Sequence, residues 1–295
     1  MRNKRFMPEL PEVETTVRDL RKIILGRKIE DVWSDFKKMI EKPKDFEEFR
    51  RRLKGKKIQK IWRRGKNVLF DLSQGKALLL HQKLTGHLLY GTWDIKHGTW
   101  KPKEKGPLEE KINTYIHLLF VLDNGKMLAL SDLRKFAKVE LWDKKELGEE
   151  LKDLGLEPLE KSFIFQKFKG CLKEKRGKVK QVLMDQTVIA GIGNIYSDEI
   201  LFEAKIHPFK EIEKLSDKEF KRIYQATRKI LSKAVEAKGE SISDYRTLSG
   251  EKGGFDPLRK VYRREGEKCS RCDTNIKRIK LAGRSAHFCP KCQQL

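Results

Sequence analysis

The stretch Met7-Pro8-Glu9-Leu10-Pro11-Glu12-Val13-Glu14-Thr15 stands near the start of the chain and carries the clearest local signal for its fold. Pro11 suits the first turn of a helix, where a missing N–H costs nothing. Glu12 and Glu14 place negative charge at the positive end of the helix dipole. Apolar residues then recur at helical spacing, at Val13, Val17, Leu20 and Ile24. The sequence therefore predicts an amphipathic helix that stops at Gly26.

Strand patterns and turn signals follow this helix. Asp123-Asn124-Gly125 lies between two apolar runs and is a strong hairpin signal. The basic segment 63–67 also lies between two such runs and is predicted to be a turn. The predicted strands cover residues 57–62, 68–72, 77–80, 87–90, 115–122 and 127–130. We therefore expect residues 7–145 to form a mostly β domain that carries the N-terminal helix.

Helical periodicity replaces the strand pattern from about Gly148 onward. Helices are predicted at 178–184, 193–204 and 216–238. The last begins with Ser216-Asp217-Lys218-Glu219, a capping box in which the Ser and Glu side chains bond each other's free backbone N–H groups. Its predicted buried stripe is Phe220, Ile223, Tyr224, Ile230, Leu231 and Ala234. A helical domain over 146–248 and a loop with a small basic module over 249–295 are expected.

The composition of the chain indicates a polyanionic partner. The 295 residues include 67 Lys and Arg against 43 acids, a net charge of +24. Nucleic acid is favoured over an anionic membrane surface or an acidic protein, because a merely charge-rich surface would be nearly balanced. The sequence contains no run of 18 apolar residues, so no membrane span is predicted. No apolar stretch follows the segment 1–6, so no secretory signal is predicted either. We therefore expect a cytoplasmic protein.

The C-terminal cysteines have the spacing of a metal site. Cys269-x-x-Cys272 and Cys289-x-x-Cys292 are separated by sixteen residues and match a four-thiolate zinc site. Two disulfides are the alternative, which conflicts with a cytoplasmic location. Four protein ligands leave no open coordination position, so we predict one structural Zn²⁺. Cys171 stands alone and is given no role.

Three basic or glycine-containing segments are candidates for phosphate contact. Arg284 lies between the two cysteine pairs in a segment, 251–295, with twelve Lys and Arg against five acids. Gly191-Ile192-Gly193-Asn194 precedes a predicted helix and could hold one phosphate at the helix N-terminus. The basic run 167–180 includes Lys175, which we predict to contact DNA, and Lys180. The alternatives are a structural arginine, a plain turn and a solvated helix face.

Six motifs occur in the same order as in a known family. They are the stretch Met7 to Thr15, Arg64-Gly65-Lys66, His81-Gln82-Lys83-Leu84-Thr85-Gly86, Asp132-Leu133-Arg134-Lys135-Phe136, Gly191-Ile192-Gly193-Asn194-Ile195-Tyr196 and the cysteine module. Together they resemble the formamidopyrimidine-DNA glycosylase family over nearly everything from Met7 to Cys292. Agreement of six motifs in order argues against chance.

The resemblance implies an α+β multidomain fold and a DNA-repair activity. The fold would be an N-terminal β-sandwich with an N-terminal helix, a helical helix–two-turn–helix domain and a C-terminal zinc finger. The protein would be a monomer in the bacterial cytosol or nucleoid that excises oxidised purines, 8-oxoguanine and formamidopyrimidines, from damaged double-stranded DNA and cleaves the strand by β,δ-elimination. The alternatives are the sister branch, which prefers oxidised pyrimidines, and a non-catalytic damage-binding protein.

The resemblance also implies roles for individual residues. Pro8 would be the nucleophile, because the nitrogen of an N-terminal proline is a secondary amine that can form an iminium. Glu9 would act as acid/base, and Lys66 and Arg284 would donate protons in the two eliminations. Arg284 and Asn194 would hold phosphates. The side chains that fill the hole left by the flipped nucleotide would be Leu84, Arg134 and Phe136.

Two of these assignments depend on more than the residue type. Judged from the sequence pattern alone, Leu84 and Phe136 are core residues. Pro8 is preceded by Met1-Arg2-Asn3-Lys4-Arg5-Phe6, and an acylated proline nitrogen is a tertiary amide that cannot form an iminium. We therefore expect the functional chain to start at Pro8.

Overall fold

The computed structural model describes residues 7–241 and 244–295, which group into two compact units. The expectation about Met1–Phe6 lies outside the described residues. The first unit contains the described residues up to Lys152 together with Ala237–Gly254, and the second contains Asp153–Glu236 and Phe255–Leu295. The predicted boundary at 248 had assigned most of Ala237–Gly254 to the helical domain. This segment groups with the first unit because Leu248 joins the core of that unit and the N–H of Glu240 donates to Glu12 Oε1 at 2.7 Å.

The predicted N-terminal helix is present as α1 (Leu10–Ile23). Glu9 is its N-cap and forms a reciprocal capping box with Glu12, whose Oε2 accepts from the N–H of Glu9 at 2.8 Å. Pro11 lies in the first turn, as predicted. The predicted apolar face, Val13, Val17, Leu20 and Ile24, is fully buried.

Eleven strands make up the described β structure of the first unit. They are β1 (Ile29–Ser34), β2 (Ile40–Lys42), β3 (Ile58–Arg64), β4 (Asn67–Leu72), β5 (Lys76–His81), β6 (His87–Gly91), β7 (Trp93–Lys96), β8 (Thr99–Pro102), β9 (Ile116–Leu122), β10 (Met127–Ser131) and β11 (Lys138–Asp143). One sheet has the strand order β1-β9-β10-β6 and the other β2-β11-β5-β4-β3, with antiparallel pairing except between β2 and β11. A separate hairpin consists of β7 and β8.

The predicted β-sandwich is confirmed by the core of this unit. Phe70 from one sheet, Phe120 from the other and Val17 from α1 belong to a single buried cluster. Each sheet therefore buries one face against the other sheet and the helix, which is the arrangement that stabilises a two-layer domain.

Turn chemistry sets the register of both predicted hairpins. Gly65 has φ 57° between β3 and β4, and Gly125 has φ 74° between β9 and β10, a conformation that glycine adopts without strain. The helix α2 (Phe46–Leu53) was not predicted, because its charged residues outnumber its apolar ones. Phe46, Phe49 and Leu53 nevertheless form a buried stripe. A further helix, α3 (Lys144–Leu151), follows β11.

The second unit is helical with one C-terminal hairpin. It contains α4 (Phe165–Lys173), α5 (Val179–Met184), α6 (Asn194–Ala204), α7 (Asp217–Glu236), β12 (Lys277–Leu281) and β13 (Arg284–Phe288). The predicted capping box is present before α7, since the N–H of Ser216 donates to Glu219 Oε2 at 2.9 Å. Tyr224 is half-buried rather than part of the buried stripe, and its hydroxyl donates to the carbonyl of Phe163. Across both described ranges, no helix combines the length and apolarity needed to cross a membrane.

Candidate functional site

Pro8 and Glu9 lie at the head of α1, where a buried carboxylate fixes the backbone. Glu12 is 1% exposed; its two carboxylate oxygens accept from the N–H groups of Glu9 and Glu240. The hydroxyl of Tyr245 donates to the carbonyl oxygen of Glu12 at 3.2 Å. The sequence pattern of Glu12 indicates only an interaction with the helix dipole. Its second partner is more than two hundred residues away in the chain, so no local pattern could reveal it.

Lys66 lies in the turn between β3 and β4, and an arginine ties this turn to α1. Arg63 Nε donates to Glu14 Oε2 at 3.0 Å, and Arg63 Nη1 donates to the carbonyl of Gly65 at 2.9 Å. Burial raises the pKa of Glu14, but hydrogen bonds from Arg18 and the charge of Arg63 outweigh it and hold that pKa below its usual value. Glu14 is therefore ionised near pH 7, and its ion pair with Arg63 anchors the turn carrying Lys66.

His81 is the neighbour of this turn on β5, opposite Asn67. Burial, together with the nearby charges of Lys83, Lys66 and Lys138, lowers the pKa of His81 to about 3. Its Nδ1 accepts from the N–H of Lys83 at 2.9 Å. His81 is thus a neutral acceptor near pH 7 and is not suited to donate a proton there.

Leu84, Arg134 and Phe136 lie in two turns of the first unit, 82–86 and 132–137. Phe136 is 49% exposed, and the Arg134 guanidinium lies over its ring at 4.7 Å from the centroid. Leu84 is half-buried. The core interpretation from sequence pattern is therefore wrong for Phe136. An exposed aromatic ring covered by an arginine has the chemistry to stack on a base.

Asn194 begins α6, in the second unit, directly after the glycine turn. Gln186 holds this turn, because its amide donates to the carbonyl of Ile192 at 2.7 Å and accepts from the N–H of Gly191 at 2.9 Å. Asn194 Nδ2 lies 3.5 Å from the hydroxyl of Tyr262, and its buried Oδ1 has no hydrogen-bond partner among the described residues. The turn and the helix N-terminus are present as predicted, whereas no sequence pattern predicted the role of Gln186.

Arg284 is exposed at the start of β13, after a two-residue turn in which Ala282 and Gly283 both have positive φ. The buried carboxylate of Asp198 on α6 fastens this hairpin. It accepts from the N–H of His287 at 2.9 Å and from Lys180 Nζ at 2.5 Å. Lys180 Nζ also donates to the carbonyl of Ser285 at 2.8 Å.

The basic run 167–180 does not present all its charges to solvent. Lys180, predicted to be part of a basic approach, is 0% exposed, so this prediction is wrong for Lys180. Four others form ion pairs with acids from a later segment: Lys169 and Lys173 with Asp217, Arg176 with Glu213, and Lys178 with Glu211. The fold supplies these acids, since only Glu174 opposes the run locally. Lys175 lies half-buried in the turn after α4, and its predicted DNA contact stays a prediction.

The four C-terminal cysteines converge on one point. Their sulfurs all lie within 4.8 Å of one another, for example 3.9 Å between Cys269 and Cys292. Zn–S bonds of about 2.3 Å in a tetrahedron separate the sulfurs by roughly 3.8 Å. The N–H of Arg271 donates to the sulfur of Cys269, as expected where a thiolate is stabilised. Cys269, Cys272, Cys289 and Cys292 therefore fit one zinc ion.

Three family models match the chain in sequence. They are the formamidopyrimidine-DNA glycosylase N-terminal domain over residues 7–139, the formamidopyrimidine-DNA glycosylase H2TH domain over 154–246 and the zinc finger found in FPG and IleRS over 266–295. Together with the β-sandwich and the four-thiolate finger, they define the class: a DNA glycosylase with a helical H2TH domain and a structural zinc ion.

Relatives cover nearly the whole chain. The formamidopyrimidine-DNA glycosylase of Streptococcus pneumoniae TIGR4 is 39% identical over 98% of this chain and 99% of its own length, and that of Pelotomaculum thermopropionicum is 37% identical over 98% and 100%. The solved complex of a Lactococcus lactis FPG mutant with Fapy-dG-containing DNA is 38% identical with a TM-score of 0.85, covering 98% of this chain and 100% of that one. The structure of MutM with carbocyclic 8-oxo-G-containing DNA is 36% identical with a TM-score of 0.84, covering 98% and 100%. The chain belongs to the formamidopyrimidine-DNA glycosylase family.

Removing a zinc ligand should unfold the finger alone. Purified protein should hold one zinc per chain, and Cys269→Ser or Cys292→Ser should lose it, because so small a module depends on its metal to fold. DNA binding should weaken by at least about tenfold, whereas the first unit should keep its thermal transition. The measurements are metal analysis, calorimetry and a binding titration. Cys171→Ser is the matched control and should keep both zinc and affinity; two disulfides without metal would refute the assignment.

Proposed function

We propose that this protein excises oxidised purines, 8-oxoguanine and formamidopyrimidines, from duplex DNA and then cleaves the strand. One observation carries the proposal. Pro8 and Glu9 lie at the head of a capped helix with one buried face, in a chain related over 98% of its length to proteins solved with Fapy-dG and 8-oxo-G DNA. That helix would present the amine of Pro8 and the carboxyl group of Glu9 together.

The first chemical step would belong to Pro8 and Glu9. With Pro8 at the N-terminus, its nitrogen attacks C1′ of the damaged nucleotide as the C1′–N glycosidic bond breaks, and the base leaves with a proton. Glu9 supplies the acid/base help that opening the sugar and releasing the base require. The proline nitrogen then loses its proton, its lone pair expels O4′ from C1′, and O4′ takes a proton from Glu9, which leaves an iminium at C1′ of the opened sugar. Glu9 is 3% exposed, and this burial excludes water that would compete for its proton.

Strand cleavage would follow from the iminium. The cation makes the C2′ proton acidic, so its removal expels the 3′ phosphate, and a second elimination expels the 5′ phosphate. In the proposal Lys66 donates a proton in the first elimination and Arg284 assists the second. Glu14 and Arg63 fix the turn of Lys66, as described above. The zinc ion supplies no chemistry and serves to fold the finger that carries Arg284.

DNA contact would use groups from both units. Asn194 at the head of α6, exposed Arg284 and Lys175 are proposed to bind phosphates, and Leu84, Arg134 and Phe136 to occupy the space of the flipped nucleotide. We further propose that the protein acts as a monomer in the bacterial cytosol or nucleoid. The proposed domains cover 7–145, 146–248 and 249–295, and residues 237–248 of the second of them group with the first compact unit.

A panel of lesion duplexes tests the proposed substrate class. Matched duplexes would contain 8-oxoguanine, a formamidopyrimidine, an oxidised pyrimidine or no damage, and single-turnover excision by protein that starts at Pro8 would be measured. We expect the two purine lesions to be excised at least roughly tenfold faster than the pyrimidine lesion, a discrimination that pocket contacts can supply. Faster excision of the pyrimidine lesion would place the protein in the sister branch. Binding without any excision would make it a damage-binding protein.

The affinity for DNA should fall steeply with salt. Several phosphate contacts release counterions on binding, so log affinity should decrease linearly with log salt concentration. Arg284→Ala should reduce the magnitude of this slope by about one and slow strand cleavage. Arg222→Ala on α7, which removes an exposed arginine paired with Glu219, is the matched control and should change neither. An affinity that hardly varies between low and moderate salt would contradict the proposed phosphate contacts.

A further inference from the structure

Asp132 is a fully buried carboxylate at the end of β10, and the mechanism above does not use it. It begins the 132–137 turn, which carries Arg134 and Phe136. A carboxylate is costly to bury unless hydrogen bonds replace its water. The partners that Asp132 finds therefore indicate what its burial achieves.

Most of these partners are backbone N–H groups of its own turn. Asp132 Oδ2 accepts from the N–H of Phe136 at 2.7 Å and from the N–H of Ala137 at 2.7 Å. Its Oδ1 accepts from the N–H of Arg134 at 3.2 Å. Hydrogen bonds to a charged acceptor are stronger than neutral ones. One side chain thus organises the backbone on both sides of Arg134 and Phe136.

The same carboxylate reaches the 82–86 turn, which carries Leu84. The hydroxyl of Thr85 donates to Asp132 Oδ1, and Thr85 Oγ1 accepts from the N–H of Arg134 at 3.1 Å. Thr85 is buried. Asp132 and Thr85 therefore join two turns that are almost fifty residues apart in the chain.

The 82–86 and 132–137 turns also approach each other closely, and each contains a residue with a strained backbone. A Cβ on Gly86 would lie 2.5 Å from the carbonyl oxygen of Gln82 and 3.2 Å from the Cβ of Ala137, so only glycine fits there. Lys83 has φ 54° and Lys135 has φ 57°, a left-handed conformation that lysine rarely adopts. Strained residues persist where surrounding contacts over-determine them. The bonds of Asp132 to Arg134 and Phe136 flank Lys135, and the N–H of Lys83 donates to His81 Nδ1.

We propose that Asp132 and Thr85 are positioning residues that hold Leu84, Arg134 and Phe136 as one preformed wedge. The inference rests on the proposed function, because the wedge matters only if these side chains enter a damaged duplex. Two independent turns would have to be ordered when DNA binds, and that loss of entropy would weaken insertion. Because the Asp132 carboxylate already orders both turns in the free protein, this entropy is not lost when DNA binds.

The test uses protein that starts at Pro8 and keeps both units, with two substitutions that keep side-chain shape. Asp132→Asn removes an acceptor, and Thr85→Val removes the hydroxyl that links the turns; Thr85→Ser restores that hydroxyl. Insertion is followed by the fluorescence of 2-aminopurine placed opposite an uncleavable abasic analogue, since the signal rises when a base leaves the stack. Catalysis is followed by kcat and KM on an 8-oxoguanine duplex and by cleavage of a single-stranded abasic site.

Both substitutions should suppress the fluorescence rise and lower kcat/KM on the lesion duplex by about 10- to 100-fold, the range expected when a hydrogen bond to a charged group is lost. Thr85→Ser should behave like the wild-type protein. Cleavage of the single-stranded abasic site has no duplex to open, so it should change less than about threefold, within the effect of one ordinary hydrogen bond. Asp71→Asn, which alters another buried carboxylate of the first unit bound by Trp62 and Lys144, is the matched control and should leave both readouts unchanged.

A wild-type fluorescence rise in Thr85→Val would overturn the proposal, even if Asp132→Asn failed to fold. Equal losses on single-stranded and duplex substrates would also overturn it, because the residues would then support the fold in general. The fluorescence experiment needs no excision. A protein that opens the duplex but excises no oxidised base would therefore refute the proposed function without contradicting the proposed wedge.

Discussion

Protein whose chain begins at Pro8 should be captured covalently on 8-oxoguanine DNA by borohydride, whereas protein that retains Met1–Phe6 should not be captured. Borohydride reduces an iminium to a stable amine, so capture reports the bond between the proline nitrogen and C1′. In the extended chain that nitrogen is an amide, with its lone pair delocalised into the carbonyl of Met7. The expected difference is from efficient capture to background, measured on a denaturing gel with both N-termini established by mass spectrometry.

Removing the extension in the test tube provides the control. A variant with a protease site placed directly before Pro8 should gain capture upon cleavage, and the same protein left uncleaved should not. Pro8→Gly in the shortened chain should be captured poorly, because a primary amine in a more flexible backbone replaces the fixed secondary amine. If the intact extended chain is captured as well as the shortened one, Pro8 is not the nucleophile and Lys66 becomes the candidate.

Glu9→Gln should nearly abolish excision of intact lesions and spare cleavage at a pre-formed abasic site. Base departure needs acid/base help, which contributes about 10²- to 10⁴-fold in rate. An abasic sugar opens to an aldehyde that the amine attacks directly, so the loss there should be smaller. The glutamine keeps an oxygen that accepts from the N–H of Glu12, and the capping box of α1 should survive. Single-turnover rates on the two substrates measure the difference.

Asp19→Asn is the matched control for this experiment, because it removes a carboxylate from the same helix at a partly exposed position near Lys22. It should leave both rates unchanged. Equal losses on the two substrates for Glu9→Gln would show that Glu9 supports binding or folding instead of acid/base chemistry. Thermal unfolding of both variants would separate these outcomes, since a folding defect lowers the transition temperature.

Prediction succeeded where residues interact with near neighbours in sequence. The apolar spacing of α1, the glycines of two turns and the capping box before α7 each involve a few consecutive residues, and all are present. The cysteine pairs likewise predicted the metal site, because two residues between thiolates suit one tetrahedral ion. The short α2 was missed, since its three buried apolar residues stand among charged ones.

Prediction failed where a side chain's environment is built by distant residues. Lys180 cannot be told from its neighbours in the basic run by residue type. It is nevertheless buried, because it pairs with Asp198, which lies eighteen positions later in the chain. Phe136 looks like a core residue, yet Asp132 holds its backbone in a turn that exposes the ring. Neither the burial of Lys180 nor the exposure of Phe136 can be recognised from neighbouring residues, because both residue types occur in buried and in exposed positions. The partners that decide between the two are brought close only by the fold.

The sequence by itself therefore determined the helix that presents Pro8 and Glu9, the hairpin turns, the four thiolates and, through ordered motifs, the family. These depend on backbone preference and ligand spacing, which act over a few residues. The tertiary structure alone decided that Glu12 anchors the segment near Glu240, and that Asp132 and Thr85 join two turns. Such contacts exist only after distant segments meet, because hydrogen bonds between buried polar groups are formed by the fold and leave no periodic pattern in the chain.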